Sequence, residues 1–249
     1  MLTILRIGTL MLLAGGSLAA ESPAIIGEAF SLKTHQLVYR ELHYINPSGL
    51  DHRVEYRTPD NKVLAVKTID YRSGLNAPRF RQISRNSGEL IEVDWREGKL
   101  LMQYRQDARS KLIESLMNPP EKLVVDAGFN HFIQQHWAAL NEGSALVFNF
   151  AAPARQSLVD LVIQRKDCGE WVAMEQRGSS LCLLIHSPNW LLRLLMEPIE
   201  LAYDSHSQHL MQYRGLANVS DDNGDSYRVN IRYQYPFPAG TRLAAGEFR

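Results

Sequence analysis

The chain has 249 residues, with 27 basic against 27 acidic side chains, 8 histidines and only 2 cysteines. A net charge of zero provides no global field to attract nucleic acid or an anionic membrane, so neither is expected as a partner. The length can bury a large core without disulfide staples, as one large β domain or two smaller ones.

The N-terminus reads as an export signal. MLTILR brings one cation, Arg6, IGTLMLLAGG is a short apolar run, and SLAAES supplies small residues ahead of a charge. That order describes a secretory signal peptide, cleaved after Ala19 or Ala20. The run is too short for ~30 Å of hydrocarbon, which takes roughly 20 residues. No cysteine follows it, which argues against a lipid-anchored lipoprotein, and no later stretch suits a transmembrane helix. Residues 1–20 are expected to be removed, leaving 21–249 as a single exported domain in a bacterial periplasm. Loss of Arg6 leaves 26 basic residues against 27 acidic ones.

Beyond the leader, strict period-two alternation dominates and predicts half-buried antiparallel strands. HRVEYR sets Val54 and Tyr56 against Arg53, Glu55 and Arg57. LIEVDWRE sets Ile91, Val93 and Trp95 against Glu92, Asp94 and Arg96. SYRVNIRYQY sets Tyr227, Val229, Ile231, Tyr233 and Tyr235 against Arg228, Asn230, Arg232 and Gln234. Further strands are expected at QLVYRELHYI, KVLAVKTIDY, KLLMQYR, ALVFNF, LVDLVIQR, IELAYD and HLMQYRG. RFRQISR, with Arg79, Arg81 and Arg85, is the one notable basic cluster and reads as a solvated strand face. TPDNK, NSGE, REGK and DDNGD are hairpin-grade turns. Such short links imply a meander rather than βαβ crossovers, and PPEK at 119–122 is the best candidate for an internal boundary.

The cysteines pose a choice. An exported chain with an even count permits a Cys168–Cys182 bridge. EWVAMEQ and SLCLLIH, however, look like two strands joined by RGSS, which sets Cys182 beside Glu175. Cys168 then lies about seven residues, over ~20 Å, further along, beyond the ~4.4–6.8 Å a bridge needs. The hairpin is preferred, with the cysteines unbridged.

Two helices interrupt the strands. The first runs 126–142, with Asp126 as N-cap and Gly143 as stop. At ~100° per residue, Phe129, Phe132, Ile133, Trp137 and Leu140 form one stripe. His136 falls within the stripe and His131 opposite, about 140° apart, so they cannot clasp one metal. His136 reads as a satisfied core histidine. The second helix, SPNWLLRLLMEP, has Ser187 as N-cap, Pro188 at its first position and Pro198 beyond its end. Trp190, Leu191, Leu192, Leu194, Leu195 and Met196 leave only a narrow polar edge at Asn189 and Arg193. At ~1.5–3 kcal/mol each, six such side chains favour burial by on the order of 10 kcal/mol. The segment therefore packs on the sheet, covers a ligand or partner, or touches a membrane, and internal packing is preferred.

Signatures of chemistry are sparse. There is no GxSxG, Walker loop or GxGxxG. His206 and His209 in HSQH have a metal-compatible spacing but fall in a polar turn, and CGEW has no second nearby cysteine. No metal or other cofactor is expected. The arrangement to weigh is YRELHY, where Tyr39, Glu41 and His43 alternate onto one strand face and offer a pair for acid–base work. The preferred reading is a solvent-facing polar row, with Val38, Leu42 and Tyr44 inward.

The 126–142 helix, the run WLLRLLMEPIELAYD and the run YRGLANVSDDNGDSYRVNIRY give a layout similar to the LolA-type and LolB-type lipoprotein-carrier half-barrels of the bacterial envelope. It also looks like an uncharacterised family of exported proteobacterial proteins. The resemblance implies a curved sheet with helices lidding an apolar concavity. The chain departs from it in being longer than a minimal half-barrel and in lacking the lipobox of the LolB type.

The expected fold is therefore mainly β with two helices, an antiparallel meander curved into an open or half barrel with helices packed in or over its concave face. The expected function is non-enzymatic, the binding of a lipid or other apolar ligand, with Phe129, Phe132, Ile133, Trp137, Trp190, Leu191, Leu194 and Leu195 as candidate lining residues. The alternatives are an envelope scaffold that binds another protein through a strand edge or the 190–196 segment, and a hydrolase using Glu41 and His43.

Overall fold

The computed structural model describes residues 22–189, 197–221 and 224–236. The leader and the 190–196 stretch, with Trp190, Leu191, Leu194 and Leu195, lie outside the described residues.

Period-two alternation becomes strand after strand. The first half is β1 (Ile25–Ser31), β2 (Leu37–Ile45), β3 (Asp51–Arg57), β4 (Val63–Asp70), β5 (Arg79–Ser84), β6 (Leu90–Arg96), β7 (Lys99–Arg105) and β8 (Ile113–Met117). A two-residue strand, β9 (Leu123–Val124), leads into a 3₁₀ turn (Asp126–Gly128), α1 (Phe129–Gln135) and α2 (Trp137–Asn141). Then come β10 (Leu146–Ala152), β11 (Ser157–Arg165), a one-turn α3 (Met174–Arg177) and β12 (Ser180–His186). β13 (Ile199–Asp204), β14 (Leu210–Ser220) and β15 (Ser226–Gln234) close the series.

The fifteen strands among the described residues form one sheet, ordered β8 to β1 and then β15 back to β9. Pairing is antiparallel throughout except between β9 and β10. The meander expected from short turns is what forms, with positive φ at Asn61, Glu97, Gly88 and Gly98 where the turns need it. The expected mainly β, open architecture is observed, and no helix among the described residues is long and apolar enough to cross a membrane.

The sheet is strongly curled. β5 and β14 are six steps apart in strand order, which laid flat would be about 29 Å at ~4.8 Å per step. Yet Gln82 Nε2 on β5 donates to the Asn218 carbonyl on β14 at 2.6 Å. Two apolar clusters fill the curl. One gathers Tyr39, Tyr56, Phe80, Leu100, Met102, Val229 and Ile231 from the first half and its neighbours. The other gathers Val124, Phe148, Ile163, Leu183 and Tyr203 beneath α1.

Three expectations need correction. The first helix is not continuous: His136 (φ −105°, ψ 18°) separates α1 from α2. Asp126 caps nothing there, because its carboxylate is drawn to Lys67 and Asn218 instead. EWVAMEQ is not a strand, since residues 166–179 form a loop carrying α3 between β11 and β12. That loop brings Cys168 back to Cys182, and the two are bridged with Cα atoms 5.3 Å apart. Only the assumed hairpin register kept them apart. Closing a ~15-residue loop is worth about 3 kcal/mol through the unfolded state. Reduction, or the Cys168→Ser/Cys182→Ser pair, is expected to lower stability by about that amount, read as the change in urea midpoint with and without reductant.

Candidate functional site

A further correction concerns β2. Its polar row, Tyr39, Glu41 and His43, faces inward: Tyr39 is fully buried and Glu41 is 7% exposed. Register explains this, because Glu41 stands opposite Tyr56, and Tyr56 lies on the apolar face of β3. The same row continues through Gly27 on β1 to Tyr233 on β15. A Cβ at Gly27 would stand 2.8 Å from the Tyr233 ring. The bare glycine therefore lets that ring lie across β1, so that Tyr233 donates its hydroxyl to Glu41 Oε2 at 3.0 Å. His43 Nε2 meets the same oxygen at 3.2 Å. Burial first, then the Glu41 charge, pushes the Tyr39 and Tyr233 hydroxyls well above their ordinary range. Neither is a ready proton donor to a substrate.

A second polar group lies deeper. Lys67, only 3% exposed, reaches from β4 to Asp126 Oδ2 at 2.5 Å. Asn218 Nδ2 donates to the other carboxylate oxygen at 3.3 Å. The Tyr56 and Phe80 rings flank the ammonium at 5.8 and 5.5 Å. Burial opposes the Lys67 charge, but Asp126 and then Tyr56 outweigh it, so the lysine is held protonated well above its usual range. The ion pair ties β4 to the crossover segment that carries α1. The sequence holds a signal for it: Lys67 shares a strand face with Ala65 and Ile69, a charge in an apolar phase.

The helix end is fastened by aromatic stacking. Tyr71 donates its hydroxyl to the Ala127 carbonyl at 2.9 Å. Its ring is sandwiched edge-on between His52 (centroids 4.8 Å apart) and His131 (4.9 Å). Burial pushes His52 down to about 4, despite its bond to the Gly49 carbonyl, and lowers His131 as well. The folded value lies below the ordinary 6.5, so the fold favours the neutral ring. This contribution is complete above pH ~6.5 and is lost as pH falls towards 4, at most ~3 kcal/mol for His52. Urea midpoints are expected to fall more steeply over that window in the wild type than in His52→Phe.

Over the second cluster α1 lays the predicted stripe. Phe132 and Ile133 are buried, and Phe132 packs on Phe148 at 5.1 Å. Phe129 meets Phe148 and Phe150 at 5.4 and 6.4 Å, and Trp137 meets Tyr203 at 5.9 Å, both only partly buried. The structure thus brings the four described candidates onto one apolar wall. His136 is a satisfied histidine, with Nδ1 2.9 Å from the Phe132 carbonyl. The HSQH residues lie in the β13–β14 turn, where His209 stacks on Tyr235 at 4.1 Å. No group of three or more metal-binding side chains is found among the described residues. The arginines of β5 point outward as expected, and Arg79 and Arg81 pair with Asp94 and Glu92.

No protein-family model matches the chain, and no curated protein matches it. Among solved structures it is similar to the beta-barrel-like protein of a domain of unknown function, DUF1849, from Brucella abortus. The identity is 8% and the TM-score 0.44, over 86% of this chain and 96% of that one.

Proposed function

We propose that this is an exported, non-enzymatic protein of the bacterial envelope that holds a lipid or other apolar ligand. The observation behind the proposal is an apolar wall of an open sheet roofed by a short, broken helix. α1 covers the second cluster, and the chain leaves helical geometry at His136 between Phe132 and Trp137. Apolar sites with few polar groups suit such ligands. Phe129 and Trp137, partly exposed at the margins of the roof, are where an acyl chain would enter. The leader at 1–20 supports an exported location, and the layout similar to lipoprotein-carrier half-barrels supports the ligand class.

Glu41 and His43 have a structural part in this reading. Glu41→Ala leaves the buried Tyr233 hydroxyl without its acceptor and is expected to cost ~1–3 kcal/mol, with no hydrolytic activity involved. A folded Glu41→Ala protein that lost an esterase or glycosidase activity of the wild type would favour the hydrolase instead.

The test is displacement of a bound hydrophobic dye. Fatty acids are expected to displace it and peptides are not, with binding weakened at least ~10-fold, about 1.4 kcal/mol, in Phe129→Ser or Trp137→Ala. A dye that peptides displace and fatty acids do not would overturn the assignment in favour of a protein-binding scaffold.

A further inference from the structure

The sheet ends on two unlike edges. β9 is two residues long, whereas β8 has five, and its outer side pairs with no strand among the described residues. An unpaired edge presents N–H and C=O groups to any strand that can reach it, and proteins commonly blunt such edges with charge. Here Leu112, Ile113 and Leu116 stand 47, 44 and 46% exposed. The acid between them, Glu114, accepts a hydrogen bond from Gln103 at 3.1 Å.

We propose that β8 pairs antiparallel with β8 of a second copy of this chain, about a two-fold axis at Ser115. The strand is self-complementary in that register. Ile113 falls opposite Met117 of the copy, and Glu114 opposite Leu116. Beyond the strand, Arg109 and Lys111 at one end of the segment approach Glu121 at the other end of its copy, twice by symmetry. Moving the axis by one residue to Glu114 would set like charges face to face, which is disfavoured.

The core also continues across the axis. Ile113, Ser115 and Met117 share the face of their β7 partners Tyr104, Met102 and Leu100, and the last two are buried. A second β8 therefore extends an apolar face already built. Pro119 and Pro120 limit the ladder, because proline brings no N–H. An edge paired with itself is consumed in both copies, so assembly stops at two. A five-residue ladder lies below the ~1,200–2,000 Å² of stable complexes, so the dimer is a weak one.

The experiment is sedimentation velocity on residues 21–249 from about 5 to about 500 μM, a range suited to weak association. The wild type is expected to shift towards dimer with concentration. Ile113→Lys and Leu116→Lys should each raise the dissociation constant at least ~10-fold without changing the melting temperature. Ser115→Cys should form an intermolecular disulfide, while Val147→Cys, exposed on β10, should not. A monomer at every concentration, or a dimer indifferent to both lysine variants, would overturn the proposal.

Discussion

Asp126→Ala is expected to destabilise the fold by about 3–5 kcal/mol, because it leaves the Lys67 ammonium buried without its counter-charge. Lys67 is 3% exposed and Asp126 is its ion-pair partner, at 2.5 Å. Against a total stability of roughly 5–15 kcal/mol, that loss should be visible as a collapsed urea midpoint. The double variant Lys67→Met/Asp126→Leu separates loss of the pair from loss of packing. Replacing both charges with apolar groups of similar volume is often neutral or stabilising, so the double variant should recover most of what the single one loses. Equal losses in both would mean that the pair contributes through geometry rather than charge compensation.

Gly128→Ala is the second large effect, and it arises from contact rather than backbone freedom. Gly128 has ordinary helical angles, φ −77° and ψ −8°. A Cβ there would lie 2.0 Å from the Asn76 carbonyl oxygen and 2.3 Å from its carbon. Those are backbone atoms, and the same carbonyl accepts from Val125 N–H at 2.9 Å. The methyl must therefore push the crossover segment off the loop after β4, straining that bond and the Tyr71–Ala127 contact. A loss of about 3 kcal/mol, the upper end for overpacking, is expected in thermal or urea unfolding. Gly178→Ala is the control, since nothing lies within 4 Å of its Cβ, and it should be neutral or slightly stabilising.

Both effects converge on the crossover at 123–128, the part of the molecule least legible in the sequence. The strands were legible because alternation is local: Val54 and Tyr56, or Val229 and Ile231, announce their buried face within one segment. Turn residues then fixed the meander. What locality cannot supply is the phase of a strand whose two faces are equally mixed. In β2 the even face offers Val38, Leu42 and Tyr44, and the odd face Tyr39 and His43. Only the cross-strand partner Tyr56 decides that Glu41 goes inside. Asp126 misled for a related reason, since a carboxylate ahead of a helix looks like a cap until a buried lysine 59 residues away claims it. The cysteine bridge was lost to an assumed register. EWVAMEQ looks like a strand joined to SLCLLIH by the RGSS turn, but the chain spends it on a loop that returns Cys168 to Cys182. The apolar stripe of α1 and α2, by contrast, was readable from its 3.6-residue period, and its five members, Phe129, Phe132, Ile133, Trp137 and Leu140, join one cluster.

The most direct test of the ligand-holding account is native mass spectrometry of residues 21–249 purified gently from periplasm. The account predicts added mass that disappears on denaturation and matches a lipid or fatty acid. A bare protein mass that stays bare after incubation with such lipids would contradict it.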